Sequence, residues 1–515
     1  MQSFLWSLVA VAAGAVWAGC FGPEPLLVAP WLALAPFFLL LTSPFPARLA
    51  LLWGFVYWLV SLSWIPPTLV TFGNLAPALG WTLFALLALY LALFPWLFAL
   101  AVGRVWRRGP ALAALLAGAS VWVLLEWVRG WLFSGFPWNL TAYAWIATPG
   151  ALESSAWIGA FGVSGLVVVA NGGIALGVRR RDWRLAAWAL LVPLVLLGTA
   201  WRWNVRADLE ARDLDSRTSS AVGSETLPVR VLQPDIPNLS VWDADRNRAD
   251  YEALIELSHH ACDRPGALLI WPESAAWPRR LGRDAELDRD LAALAEKGCA
   301  VLLNTVRSGA AGELFNAATL IAPDGERTYY DKRHLVPWGE YVPLGDLLPV
   351  VDALARNAGE FTAGGELALL PVDGHRLGAA ICYEVVFPDH VAESVRAGAT
   401  ALVSITNDDW YGPTAARWQH LRAARFRAAE TRRTLLRAAI TGVSAIVRPD
   451  GSIAQRALPG ERRILSTELT ARRGLTPYAR FGRFLPALLF VVGGFVIFRS
   501  GRPHSGVGPE PPPAR

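Results

Sequence analysis

Charge is in short supply in this chain. Of its 515 residues only 17% are Asp, Glu, Lys or Arg, against a hydrophobic share of 54%. That balance is too apolar for an ordinary soluble protein and places part of the chain in lipid. Cysteine is scarcer still: Cys20, Cys262, Cys299 and Cys382 are the only four. They lack the paired spacing of a zinc ribbon and the density of a disulfide scaffold, so a structural disulfide is neither indicated nor excluded. The net charge of +5, from 47 basic and 42 acidic residues, carries no nucleic-acid signature. What is plentiful is tryptophan, at 25 residues. Indole rings favour the headgroup boundary, where one edge stays wet, and they also fill cores.

A spanning helix needs roughly 20 mostly apolar residues to cross about 30 Å of hydrocarbon. Eight stretches qualify: seven precede a polar block, at 3–20, 26–41, 49–65, 79–102, 111–133, 157–178 and 186–201, and the eighth is 484–498. Arg48 follows the second stretch, Arg104, Arg107 and Arg108 the fourth, Arg179, Arg180, Arg181 and Arg184 the sixth, and Arg499 and Arg502 the last. Short loops that retain positive charge face the cytoplasm, so both termini are expected inside and the polar block outside. The segment Trp17-Ala18-Gly19-Cys20 resembles a lipoprotein cleavage box, but no positively charged region precedes it. The expected organisation is a transmembrane domain of seven helices (1–205), an extracytoplasmic catalytic domain (206–480), an eighth transmembrane helix (481–500) and a disordered, Pro- and Gly-rich cytoplasmic tail (501–515).

The polar block alternates short β-branched runs, at 229–232, 267–271, 301–303 and 401–405, with helical patterns at 243–262, 284–297 and 418–433. That alternation reads as an α/β domain. The last helical pattern is amphipathic and rich in Arg.

Three segments place reactive groups just beyond apolar strands. Leu268-Leu269-Ile270-Trp271-Pro272-Glu273 is a buried-strand pattern stopped by proline and followed by a carboxylate. The loop from Tyr329 to Pro343 interleaves charges and aromatics, and Lys332 within it is suited to hold a developing oxyanion while Glu340 holds the ammonium. Leu377-Gly378-Ala379-Ala380-Ile381-Cys382-Tyr383-Glu384 delivers a single thiol at a strand end. Read one at a time, these are equally a surface turn, a solvated basic loop and a small buried hydrophobe. A nucleophilic thiol needs a cation or a base beside it, which Lys332 and Glu273 would supply.

The order Glu, Lys, Cys, each residue in its own strand-end motif, resembles the nitrilase (carbon-nitrogen hydrolase) superfamily. The resemblance implies an α-β-β-α sandwich with Cys382 as nucleophile, Glu273 as general base and Lys332 stabilising the tetrahedral intermediate. With eight spans and such a domain between the last two, the whole chain resembles the apolipoprotein N-acyltransferase family. The supporting signatures are Glu126-Trp127-Val128-Arg129-Gly130-Trp131, Gly135-Phe136-Pro137-Trp138, and segments 233–242, 332–343 and 407–412. Asp409 departs from the small residue usual at its position. The family likeness implies a phospholipid acyl donor, a thioester on Cys382, and transfer to the N-terminal α-amine of S-diacylglyceryl-cysteine in an apolipoprotein. It further implies a multi-pass protein of the bacterial inner membrane whose catalytic domain faces the periplasm, and no cofactor or metal. Trp242, Trp338, Tyr383 and Trp410 are expected to shield the thioester from water, with Glu340 and Glu384 as supports.

His259, His260, Cys262 and Asp263 have metal-ligand chemistry but no matching second half. Glu126 and Arg129, three apart near the end of a span, either neutralise each other or reach headgroups. The residues alone leave two other functions open: a membrane-anchored amidase, and an inactive lipid-binding or transport protein.

Overall fold

Lipid offers the backbone no hydrogen-bond partners, so apolar runs must satisfy their own amides by coiling into helices. The computed structural model of the protein describes residues 2–73, 75–218, 226–237, 243–341 and 361–501, and the tail beyond lies outside the described residues. The chain opens with α1 (Gln2–Gly19) and a short α2 (Ala35–Leu40), followed by α3 (Pro46–Ser61) and α4 (Ile65–Thr71). Next come α5 (Pro77–Arg108), α6 (Ala111–Arg129), α7 (Ala151–Arg180) and α8 (Trp183–Thr218). Among the described residues six helices are long and apolar enough to cross a bilayer, the sixth over Pro477–Arg499, and α3 with α4 forms a pair bent by 52°.

The expected count of eight helical spans is therefore corrected. Stretch 26–41 is no spanning helix, because Pro30 and Pro36 interrupt it and leave a 3-10 turn followed by the six residues of α2. The chain still runs from one end of the bundle to the other there. The Gly22 carbonyl accepts from Arg422 of the polar block, whereas the Leu41 carbonyl accepts from Arg107 at the opposite, arginine-rich end. Irregular backbone at membrane depth survives only when buried in protein. Leu26, Leu27, Val28 and Leu32 are exposed, but from Ala33 to Leu41 most side chains are buried. The Asn171 side chain accepts the Leu34 N–H and donates to the Pro30 carbonyl, 3.1 Å each. Trp31 stacks on Trp145 at 4.1 Å.

Glu126 and Arg129 are both buried. Arg129 donates to the carbonyls of Phe136 and Trp138, 2.8 Å each, and lies 3.9 Å from the Glu126 carboxylate, which accepts the Thr141 N–H. The pair thus shapes the turn after α6, where Phe133, Ser134 and Gly135 all have positive φ.

The polar block is two six-stranded sheets face to face. The first orders its strands Arg463–Leu469, Leu227–Gln233, Leu268–Ile270, Ala300–Ser308, Leu314–Ile321 and Arg327–Asp331, and the second Ile453–Arg456, Ala445–Val447, Leu435–Ala439, Ala401–Thr406, His375–Ile381 and Leu369–Val372. In chain order, β1 (Leu227–Gln233) leads to α9 (Ala244–Ala261), β2 (Leu268–Ile270), α10 (Ala285–Glu296), β3 (Ala300–Ser308), β4 (Leu314–Ile321) and β5 (Arg327–Asp331). The second half holds β6 (Leu369–Val372), β7 (His375–Ile381), α11 (Pro388–Arg396), β8 (Ala401–Thr406), α12 (Ala416–Thr431), β9 (Leu435–Ala439), β10 (Ala445–Val447), β11 (Ile453–Arg456) and β12 (Arg463–Leu469). The chain then passes through α13 (Pro477–Phe481) into α14 (Leu485–Gly501). Val229, Ile270, Leu302 and Ala318 of one sheet meet Leu377, Ile381, Val403 and Leu436 of the other in a shared core. Helices α9 and α10 cover the outer face of the first sheet. Helices α11 and α12 cover the second, giving an α-β-β-α sandwich.

Helix α12 corrects a second expectation. It is buried almost all round rather than amphipathic, because it lies between the second sheet and the membrane bundle in one continuous apolar core. Its polar side chains are spent on backbone carbonyls: Arg422 on Cys20, Gln419 on Phe21 and Ser61. Glu430 accepts the Ala160 N–H, which the kink of α7 at Gly159 frees. The fold also joins Cys262, at the end of α9, to Cys299, just before β3, in a disulfide that spacing had left open.

Arg129→Met would leave Glu126 buried without its cation, so thermal unfolding should show a loss of about 3–5 kcal/mol. The double variant with Glu126→Gln should recover part of it, and no recovery would mean that the two residues act separately.

Candidate active site

Three strand ends converge. Pro272 halts the chain after β2 and Glu273 follows; Lys332 comes directly after β5, its N–H donated to the Asn316 carbonyl at 2.8 Å. Cys382 follows β7 and opens a 3-10 turn with φ +50°, a conformation rare for a residue with a side chain. All three are buried, Lys332 to 1% exposure.

The Lys332 ammonium sits 2.8 Å from Glu340 and 3.6 Å from Glu273. Asn316 on β4 bridges the two carboxylates, its amide nitrogen 3.1 Å from Glu273 and 2.6 Å from Glu340. The second Glu273 oxygen accepts the Asn407 N–H at 3.0 Å. Burial raises the proton affinity of Glu273 above the ordinary carboxylate range, opposed by Lys332 and reinforced by Glu340. Burial alone would neutralise Lys332, yet the two carboxylates hold it charged above the usual lysine range. The Cys382 thiol is pushed up to about 12, first by burial and then by the Glu273 carboxylate, against the pull of Lys332 and a hydrogen bond with Thr406. A neutral thiol, a carboxylate ready to accept its proton and a fixed ammonium form a set able to generate a thiolate at the moment of attack and to hold an oxyanion.

The remaining expected residues are distributed around this centre. Glu340 grips Lys332 and accepts the Val336 N–H. Glu384 is fully buried and accepts from the Ile381, Arg333 and His334 amides and the Tyr330 hydroxyl, pinning the lysine loop to the cysteine turn. Tyr383 donates its hydroxyl to the Gly135 carbonyl of the membrane bundle at 2.9 Å. Trp410 and Trp338 are about two-fifths exposed, Trp410 packing on Phe72. Trp242 lies outside the described residues.

Several groups escaped sequence reasoning. Asn316 and Asn304, hydrogen-bonded to each other at 2.6 Å, orient the Glu273 carboxylate and its following turn. Asp408, His420 and Arg437 form a fully buried network behind Cys382. A polar Asn in the middle of an apolar strand was one available signal. Lysine usage was another, since Lys297 and Lys332 are the only two in the chain.

Cys262 is committed to its disulfide, which removes it from any metal set with His259 and His260. The ligand atoms of His334, Glu384 and His390 do lie within 4.8 Å of one another. However, the Glu384 oxygen nearest them already accepts from Tyr330 and two amides, so protein donors fill the place of a cation.

Residues 13–173 match the apolipoprotein N-acyltransferase N-terminal domain family, and residues 229–478 match the carbon-nitrogen hydrolase family. An apolipoprotein N-acyltransferase of Methylococcus capsulatus is 34% identical over 98% of this chain and 99% of its own length. One of Geobacter metallireducens is 32% identical over 92% of this chain and 91% of its own. Among solved structures, a carbon-nitrogen hydrolase superfamily protein of Xanthomonas campestris aligns at 19% identity over 52% of this chain and 97% of its own, with a TM-score of 0.37.

Asn316→Leu removes a donor from Glu273 and so raises its proton affinity further. With a hydrogen bond to a charged group worth about 1.5–3 kcal/mol, the acid limb of Cys382 alkylation by iodoacetamide should move up by about 1–2 pH units. An unmoved limb would mean that Asn316 does not act on Glu273.

Proposed function

Because this chain belongs to the apolipoprotein N-acyltransferase family, a membrane acyltransferase family of carbon-nitrogen hydrolase fold, we propose that Glu273, Lys332 and Cys382 carry a two-step acyl transfer from phospholipid to lipoprotein. Glu273 takes the proton of Cys382 as the sulfur attacks an acyl ester of a phospholipid. The Lys332 ammonium holds the oxyanion. Collapse expels the glycerol oxygen, which regains the proton from Glu273, leaving a lysophospholipid and a thioester on Cys382. The α-amine of an S-diacylglyceryl-cysteine then attacks the thioester and gives a proton to Glu273. The thiolate leaves and is reprotonated, and the product is an amide. Each half-reaction begins and ends with Glu273 ionised, which gives ping-pong kinetics. The observation that carries the reading is the buried Lys332 ammonium held between two carboxylates beside a thiol that burial keeps neutral.

The same reading puts the sandwich domain on the periplasmic side of the inner membrane. Two observations support it. The arginine-rich helix ends gather away from that domain, where Arg179 and Arg180 donate to the carbonyls of Trp106 and Gly109. The Cys262–Cys299 disulfide belongs in an oxidising compartment.

Incubation with labelled phospholipid and no acceptor should leave one acyl group on Cys382, read by mass spectrometry. Active enzyme without that adduct would sink the scheme. On the pH axis, acylation requires ionised Glu273, so its acid limb should lie above the ordinary glutamate value of about 4.3. In unfolded, unreduced protein from cells, a maleimide polymer should mark Cys20 and Cys382 alone; two further additions before reduction would contradict the periplasmic placement.

A further inference from the structure

A residue with a side chain adopts the left-handed conformation of Cys382 only when its surroundings impose it. Upstream, Glu384 reaches back to the Ile381 N–H at 2.8 Å. Downstream, the carbonyl of Cys382 itself lies 3.0 Å from Nε2 of His420, a ring on α12 with no exposed surface. A carbonyl only accepts, so Nε2 carries the proton.

The far side of the ring explains why. Nδ1 lies 3.1 Å from both the Asp408 carboxylate and an Arg437 nitrogen, and those two groups are themselves 2.6 Å apart. Thr406, at the end of β8, donates its hydroxyl to Asp408 at 2.9 Å. Burial and Arg437 favour the neutral ring, while Arg437 holds Asp408 ionised, below the usual carboxylate range. In the neutral ring with its proton on Nε2, Nδ1 accepts from Arg437; a proton added there would be donated to Asp408, and in both forms Nε2 keeps the proton that it gives to the Cys382 carbonyl. The Asp408–Arg437 pair therefore holds the ring in place for that bond.

A peptide unit is planar, with its C=O and N–H pointing in opposite directions. Anchoring the Cys382 carbonyl on His420 consequently aims the Tyr383 N–H the other way. The amide after a nucleophile on a strained strand-to-turn junction is suited to donate to the oxyanion. We propose that His420 is a positioning residue for acyl transfer, set by Asp408 and Arg437, which locks the Cys382–Tyr383 peptide so that the Tyr383 N–H joins Lys332 in holding the oxyanion. Trp138 of the helical bundle stacks on the same imidazole, centroids 5.6 Å apart, and so fixes the ring plane from the side of the bundle.

This inference rests on Cys382 being the acylated nucleophile, and two reactions of the full-length protein separate the questions. Acylation by phospholipid passes through an oxyanion, whereas alkylation by iodoacetamide does not. His420→Phe should slow thioester formation by roughly 10²–10³-fold, the usual effect of losing one oxyanion donor. Cys382 alkylation should stay within about threefold, and the KM for phospholipid should be unchanged. His420→Gln, which retains an N–H, should recover at least about tenfold of the loss. His420→Met is made alongside, and the acylation-to-alkylation ratio is read in whichever variant keeps a cooperative unfolding transition. Equal losses in both reactions, or acylation at the wild-type rate, would overturn the role of His420 while leaving the thioester scheme intact. Absence of a wild-type thioester would instead overturn that scheme.

Discussion

The ammonium of Lys332, taken out of water and set between Glu340 and Glu273, is the interaction around which this protein is arranged. A lone buried cation is prohibitively costly, and one carboxylate would merely neutralise it. Two carboxylates keep it charged, while Glu273 keeps a raised proton affinity, first because it is buried and then because Glu340 lies close. The same field and the same burial keep the neighbouring thiol neutral at rest. The centre thus sets a fixed positive charge beside a thiol that stays neutral at rest.

Holding that centre requires surrounding groups that are themselves satisfied. Asn316 ties the carboxylates together, Asn304 orients Asn316, and Glu384 gathers four donors from the lysine loop and the cysteine turn. Behind the cysteine, the Asp408–Arg437 pair and His420 fill the space with a connected polar network. Each of these three residues bonds to the others, although one Arg437 nitrogen, Nη1, has no partner among the described residues. The cost of burying these groups is offset by the apolar core that the two sheets enclose.

The bilayer-embedded part takes a direct share in that arrangement. Helix α12 is packed against the second sheet on one side and the helical bundle on the other, and its arginines and Gln419 bond to carbonyls that the bundle leaves open at its end. The turn shaped by Arg129 carries Trp138 onto His420 and offers the Gly135 carbonyl to Tyr383. The cysteine turn is therefore held by contacts from both halves of the chain, and neither half is a passive anchor.

Period and composition made much of this visible beforehand. The long apolar runs, the strand ends before Glu273 and Cys382, the charged loop around Lys332 and the helices at 243–262 and 284–297 are local patterns, and local patterns are readable because their periodicity survives without the fold. Stretch 26–41 misled for the opposite reason: its composition is that of a span, but two prolines and the hydrogen bonds offered by Asn171 decide its backbone. The amphipathic reading of α12 failed because the carbonyl that receives Arg422 belongs to a residue hundreds of positions away. His420 and Arg437 carried no signal at all, and Asp408 only its place in segment 407–412, since a polar side chain declares itself only through the partners it meets. The amino-acid order by itself determined which segments enter lipid, which form strands and which reactive groups stand at their ends. Tertiary structure alone decided which charges share a cavity, which cysteines pair and which proton each group holds, because those depend on distances and burial that no single segment contains.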